Sequence, residues 1–310
     1  MRLIVTGASG LLGLNLSLSS LETHQVIGVD RSKLAGVPFE LLNIDLLEKG
    51  SIEKIFDVAN PDCLVHCAAL ADVDACEKDP LGSRRLNALL PGEIAAACAS
   101  HSVPMLHIST DAVFDGTKDG LYLEDDVPNP LGVYASTKLE AEGNVLQADS
   151  SAIVARVNFF GWSLSGTRSL AEFFVNNLKA GKQVNGFTDV FFCPMFVGDL
   201  AKTLVSMLTK GLSGLYHVVG SEALSKYEFG QAIARQFGYD SELIQPTTLD
   251  RSGLLAQRSR NLRLSTNKLS THLGQVVPGF STGLTMFYTQ FQQGYPQLLA
   301  GYQHVSPFLA

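Results

Sequence analysis

Thr6-Gly7-Ala8-Ser9-Gly10-Leu11-Leu12-Gly13 follows the apolar run Leu3–Val5 and leads into a helix-like segment, Leu12–Ser19. A strand, a glycine-rich turn and a helix in that order suit a dinucleotide pyrophosphate. Gly7 permits the tight turn, Gly10 lets backbone N–H groups approach the phosphates, and Gly13 lets the helix lie close to the strand. The helix N-terminus adds unpaired amides and a partial positive charge. Asp30 ends a second strand-like run, Val26–Val29, where a carboxylate can hold an adenosine ribose 2′-hydroxyl. Its neighbour Arg31 can meet a 2′-phosphate instead, so the expected cofactor is NADH or NADPH.

Outward from this loop the alternation continues. Cys63–Cys67, Met105–Ser109, Ala152–Val157 and Leu215–Val219 read as strands. Ser51–Val58 (with Ser51 as N-cap), Pro91–Ala99, Tyr134–Gln147 and Val197–Leu208 read as helices. The pattern predicts an α/β chain, a Rossmann-type doubly wound parallel sheet. Nearly continuous apolar strands fit a sheet covered on both faces. The regularity breaks after Val157. We therefore expect a dinucleotide-binding domain over 1–160 with 197–220 returning to it. Residues 161–196 and 221–310 are expected to form a smaller, discontinuous C-terminal substrate-binding lobe.

The 310 residues are 17% charged and 46% hydrophobic, with a net charge of −7. An acidic balance without a Lys/Arg run longer than two argues against a nucleic-acid partner. No uninterrupted apolar stretch reaches the roughly 20 residues of a membrane span. No signal-like segment opens the chain, and the odd cysteine count fits reduced thiols in the cytoplasm. Cys63, His66 and Cys67 fall in a buried-strand pattern, and no metal site is expected. Lys268 is the last charged residue; beyond it only His272 and His304 can titrate. Thr282–Gln293 carries Leu284, Phe287, Tyr288 and Phe291 at helical spacing. The apolar side chains from Tyr295 to Leu309 need cover, either on the chain's own lobe or on a second subunit of a homodimer.

Tyr134 and Lys138 lie four residues apart, on one face of a helix. A neighbouring ammonium is expected to lower the phenol's pKa and fit it for proton exchange with a carbonyl oxygen. Thr110, just beyond the strand Met105–Ser109, can hydrogen-bond the same oxygen, with Ser109 as the competing hydroxyl. In the second lobe, Asn158, Phe192 and Arg258 are candidates for the substrate, Arg258 for a diphosphate.

The loop and the Tyr134/Lys138 pair resemble the extended short-chain dehydrogenase/reductase superfamily. Ser109-Thr110-Asp111-Ala112-Val113-Phe114-Asp115-Gly116 resembles more narrowly the STDYVFDG signature of the dTDP-4-dehydrorhamnose reductase family. His66–Ala69, Asp72–Glu77, Pro130–Glu142, Gly214–Gly220 and Ser225–Phe229 are similar too, and the likeness covers about residues 1–274. It implies NAD(P)H-dependent reduction of the 4-keto group of a nucleotide-linked deoxysugar. By motif, Gly10, Leu11 and Leu12 would line the pyrophosphate, Asp30 and Arg31 the ribose, and Asp45 and Leu46 the adenine. Ala68, Ala69 and Leu70 would pass beside the cofactor. Thr110, Tyr134 and Lys138 would surround the carbonyl, with Asp111 and Phe159 on the sugar side. Ala112 replaces the signature's Tyr, and Phe159 stands where the family has Trp, so the sugar is left open. The same family includes a non-catalytic regulatory subunit of methionine adenosyltransferase, and an NAD-dependent sugar-nucleotide epimerase is the other alternative.

Overall fold

The computed structural model describes residues 1–251 and 259–305. Seven strands form a parallel central sheet: β1 (Arg2–Thr6), β2 (Gln25–Asp30), β3 (Glu40–Asn43), β4 (Cys63–His66), β5 (Met105–Thr110), β6 (Ile153–Val157) and β7 (Gly214–Val218). Their spatial order is β7-β6-β5-β4-β1-β2-β3. The order reverses between β1 and β4, which opens a ligand crevice at the carboxyl ends of those strands. β3 escaped the sequence reading because Glu40-Leu41-Leu42-Asn43 is short and, at the sheet edge, only half covered.

Six helices frame the site or its supports: α1 (Leu11–Ser20), α2 (Ser51–Ala59), α3 (Leu90–Ser100), α4 (Val133–Ala148), α5 (Val197–Thr209) and α6 (Phe280–Gln292). Ser51 does not cap α2. Gly50 does, in the left-handed region at φ +78°, and the Ser51 hydroxyl donates to the Leu46 carbonyl at 3.0 Å.

Strand alternation divides the core. Leu3, Val5, Val65, Leu106 and Ala155 belong to a cluster that runs through α1 and α5 into the C-terminal half, reaching Phe160, Phe229 and Phe287. Ile4, Leu64, Met105 and Val154 point to the other face, among residues of α2 and α3. One continuous core thus joins the sheet to the C-terminal half. There Trp162 stacks on Phe287 at 4.0 Å, and its indole N–H donates to the Phe287 carbonyl at 3.1 Å.

The charge-free tail does not stay on its own lobe. After α6, a helix over Tyr295–Ala300 buries Leu299 completely. The Tyr295 hydroxyl donates to Asn15 Oδ1 on α1 at 3.0 Å. Gln303–Val305 then pairs antiparallel with Lys33–Ala35, just past β2. The tail therefore crosses to the N-terminal half of the same chain, against α1 and the segment after β2. Among the described residues, no helix is long and apolar enough to cross a membrane, and no cluster of metal-ligating side chains occurs. All five cysteines are unpaired.

Candidate active site

The glycine loop leaves β1 and enters α1 as a tight cradle. Gly7 sits at φ +67°, and a Cβ there would lie 2.8 Å from Ala68 Cα. A Cβ on Gly13 would lie 2.1 Å from the Gly7 carbonyl oxygen, so α1 packs onto the loop itself. Gly10 is the N-cap of α1 and no side chain caps that end. Leu11 is half-buried beside it, while Leu12 and Gly13 are buried. The cradle has the small-residue geometry that a pyrophosphate needs, with the helix N-terminus as its floor.

Asp30 is buried, and its carboxylate braces the loop. One oxygen accepts from the Ser9 N–H at 2.9 Å and the other from the Ser32 N–H at 2.9 Å. Each oxygen keeps a lone pair for a ribose hydroxyl. Arg31 is exposed. Asp45 and Leu46 follow β3 on the same edge of the sheet, and the Asp45 carboxylate accepts from the Leu47 N–H at 2.9 Å. Ala68, Ala69 and Leu70 follow β4; Asn87 holds the Leu70 backbone at both its N–H, 2.8 Å, and its carbonyl, 2.9 Å.

Thr110 ends β5, and α4 carries Tyr134 and Lys138. Thr110, not Ser109, is the hydroxyl beside the Tyr134 phenol; the Ser109 hydroxyl is turned to Glu142. The Thr110 hydroxyl also lies 3.2 Å from Asp111 Oδ1. Asp111 is 4% exposed, and its other oxygen accepts from Asn158 Nδ2 at 2.6 Å. Burial pushes the Asp111 carboxyl up to about 6, against the hydrogen bonds from Asn158 and Thr110.

The expected effect of Lys138 on the phenol is not what the structure has. Burial, then the Asp111 charge, push Tyr134 up to about 12, while the one proton of the neighbouring Thr110 hydroxyl is directed to Asp111. Lys138 is itself pushed down to about 8 by burial. Its Nζ lies 3.1 Å from His107 Nε2. Tyr134 therefore holds its proton throughout the neutral range.

Beneath α4 the sheet face turns polar toward the carboxyl ends of its strands. Leu64, Met105, Val154 and Leu215 give way to His66, His107, Ser109, Arg156 and His217. Sheet register aligns His66 with His107, and Ser109 with Arg156 and His217. From α4, Glu142 accepts two hydrogen bonds from the Arg156 guanidinium, at 2.9 and 2.7 Å, and one from the Ser109 hydroxyl at 2.5 Å. Glu142 and Arg156 are a fully buried pair. Sequence reasoning missed this layer, although Glu142, four residues after Lys138, continues the Tyr134/Lys138 spacing.

On the sugar side, Asn158 is brought to Asp111, and half-buried Phe159 begins a short strand paired with Met195–Phe196. Phe192 corrects its expectation. It is 4% exposed and packs on Phe229, with ring centroids 5.5 Å apart, so it is a core side chain rather than a lining one. Its neighbour Phe191 is half-buried, with the Arg263 guanidinium 5.3 Å over its ring. Arg258 lies outside the described residues.

Comparison with known proteins gives a consistent neighbourhood. The family described as RmlD substrate binding domain matches residues 1–293. The chain is 32% identical over 291 residues to the probable low-salt glycan biosynthesis reductase Agl14 of Haloferax volcanii, covering 93% of this chain and 97% of that one. It is 33% identical over 288 residues to the methionine adenosyltransferase 2 subunit beta of Pongo abelii, covering 89% and 84%. A solved dTDP-4-dehydrorhamnose reductase from Clostridium acetobutylicum superposes with a TM-score of 0.85 at 25% identity, covering 94% of this chain and all of that one.

Proposed function

The chain belongs to the RmlD substrate binding domain family, and from that membership and the crevice described above we propose that it is an NAD(P)H-dependent reductase of the 4-keto group of a nucleotide-linked deoxysugar. The residues fit a dinucleotide: the Gly7–Gly13 cradle admits no further Cβ and ends on an uncapped helix N-terminus. Gly7, Gly10, Leu11, Leu12 and Gly13 would hold its pyrophosphate, Asp30 and Arg31 its adenosine ribose, and Asp45 and Leu46 its adenine. Ala68, Ala69 and Leu70 would flank the nicotinamide half, with Tyr134 and Lys138 at its ribose. When bound, the reduced nicotinamide supplies a hydride.

The chain's own residues handle the oxygen of the carbonyl. Thr110 and Tyr134 place two hydroxyls together at the end of β5, where one orients the oxygen and the other protonates it. The observation that carries the reading is the arrangement itself: Thr110 at the end of β5, with Tyr134 and Lys138 one turn apart on α4; burial and the Asp111 charge push the phenol up to about 12, so it holds its proton. A forming alkoxide is a far stronger base than a phenolate, so proton transfer from this phenol runs downhill. Net oxidation of the added reduced coenzyme separates this reaction from epimerisation, which returns its coenzyme unchanged. Lys138 adds positive charge near the developing oxyanion, and Asp111 with Asn158 forms the polar floor on the sugar side.

Tyr134→Phe tests the assignment. Turnover of a nucleotide 4-keto sugar should fall by about 10²–10⁴-fold, with binding of the reduced coenzyme retained. A phenylalanine variant as fast as the parent would refute it. A regulatory role, suggested by the adenosyltransferase subunit relative, predicts instead a stoichiometric protein partner and no keto-sugar turnover.

A further inference from the structure

Three imidazoles lie buried beneath α4: His66, His107 and His217 are each 1% exposed or less. A buried imidazole is tolerated when it stays neutral and finds partners. His66 finds Thr6, with Nδ1 and Oγ1 2.7 Å apart, and His217 finds Arg156, at 3.4 Å. His107 has a different partner. Its Nε2 lies 3.1 Å from Lys138 Nζ, while its Nδ1 has no partner. The ring stacks on His66 with centroids 5.4 Å apart, which holds it in the sheet face.

Lys138 is 2% exposed, and His107 is the one hydrogen-bond partner of its Nζ among the described residues. The titratable groups facing it from the packed elements are His107 on β5, His66 and Cys67 at the end of β4, and Glu142 one turn along α4. Glu142 favours the charged amine. Its two oxygens are nevertheless engaged by Arg156 and Ser109, at 2.5–2.9 Å. His66 offers no negative charge, since burial drives the imidazole down to about 3; Cys67 favours the charged amine only as a thiolate, and burial pushes that thiol up to about 12. The direct acceptor left for the ammonium is His107, which burial and the Lys138 charge hold neutral.

We propose that His107 is the positioning residue of Lys138: its neutral imidazole accepts a hydrogen bond from the buried ammonium and fixes it as a cation one helical turn from Tyr134. The ring serves through Lys138 and does not reach the reacting carbonyl itself. The inference rests on the assignment of Lys138 to the proton-transfer site proposed above. A hydrogen bond to a charged group favours that charge, so losing the acceptor shifts Lys138 toward its neutral amine. The charge beside Tyr134 is then lost at lower pH than in the parent.

The test reads Lys138 directly. The full chain, labelled with ¹³C at the lysine ε carbon, is titrated by NMR, with the Lys138 signal assigned by its loss in Lys138→Met. His107→Leu should lower the Lys138 midpoint by about one pH unit or more. His107→Gln, whose amide oxygen can accept, should restore it. His66→Leu removes an equal imidazole from the same stack and should leave the midpoint unmoved, which separates positioning from bulk packing. Should the leucine variant not fold, His107→Ala supplies the same contrast with His107→Gln. An unmoved or raised midpoint in a folded variant lacking the acceptor overturns the proposal. Keto-sugar turnover, measured separately, judges the reductase reading. A chain with the expected titration and no turnover loses the function and keeps the pair; turnover with an unmoved midpoint does the reverse.

Discussion

Asp111 lies among Tyr134, Thr110 and Asn158 with 4% of its surface exposed. Its folded value of about 6 stands above the ordinary 3.8 because burial outweighs its hydrogen bonds. The contribution of this group to stability is therefore full below the ordinary value and lost as pH rises through about 6. Asp111→Asn keeps the shape and an acceptor for Asn158 while removing the charge. It should stabilise the chain by about 2–3 kcal/mol at pH above 7 and by almost nothing near pH 4. Thermal melts at both values check this; equal melting shifts at the two would contradict it. The grouping of these side chains was legible in the sequence once the glycine loop was in place: Tyr134 and Lys138 by their four-residue interval, Thr110 by its place after a strand. The ionisation states were not, since they depend on burial and on Asp111, a through-space neighbour.

At the scale of elements, α4 and the strands beneath it form one polar layer. Tyr134, Lys138 and Glu142 repeat at four-residue intervals, so one helix face carries the phenol, the ammonium and the buried carboxylate. Glu142 was thus within reach of sequence reading. Arg156, His107 and His217 were not, because each lies on a different strand and only the sheet register aligns them. Arg156→Met leaves Glu142 a buried charge without its cation. It should cost about 3–5 kcal/mol of unfolding free energy, read by urea denaturation. The double variant Arg156→Met/Glu142→Met should recover much of that loss. A single variant within about 1 kcal/mol of the parent would show that the pair supports nothing.

At the scale of the whole molecule, the order of sheet and helices was readable because continuous apolar strands alternate with amphipathic helices. The short edge strand Glu40–Asn43 and the path of the tail were not. Charge-free sequence reveals only that a segment needs cover, not which surface supplies it. Here the tail runs over α1 and pairs with Lys33–Ala35, so it ties the C-terminal half to the segment after Asp30. It also lies beyond residue 293, where the family match ends. Leu299 is fully buried, and Leu299→Ala should cost about 2–5 kcal/mol. Removing residues 295–310 should destabilise the chain at least as much and weaken coenzyme binding, because the tail pairs with the segment that follows Asp30 and Arg31, the residues proposed to hold the adenosine ribose. A truncated chain with unchanged melting and coenzyme affinity would leave the tail without a structural role.

Label transfer tests hydride delivery to a sugar carbonyl most directly. The purified chain is given coenzyme deuterated on its transferable position and a panel of nucleotide 4-keto-6-deoxysugars, with products read by mass spectrometry and NMR. One deuterium on the former carbonyl carbon is expected for each coenzyme oxidised. Coenzyme returned unconsumed beside an inverted sugar centre, or no transfer to any sugar in the panel, would contradict it.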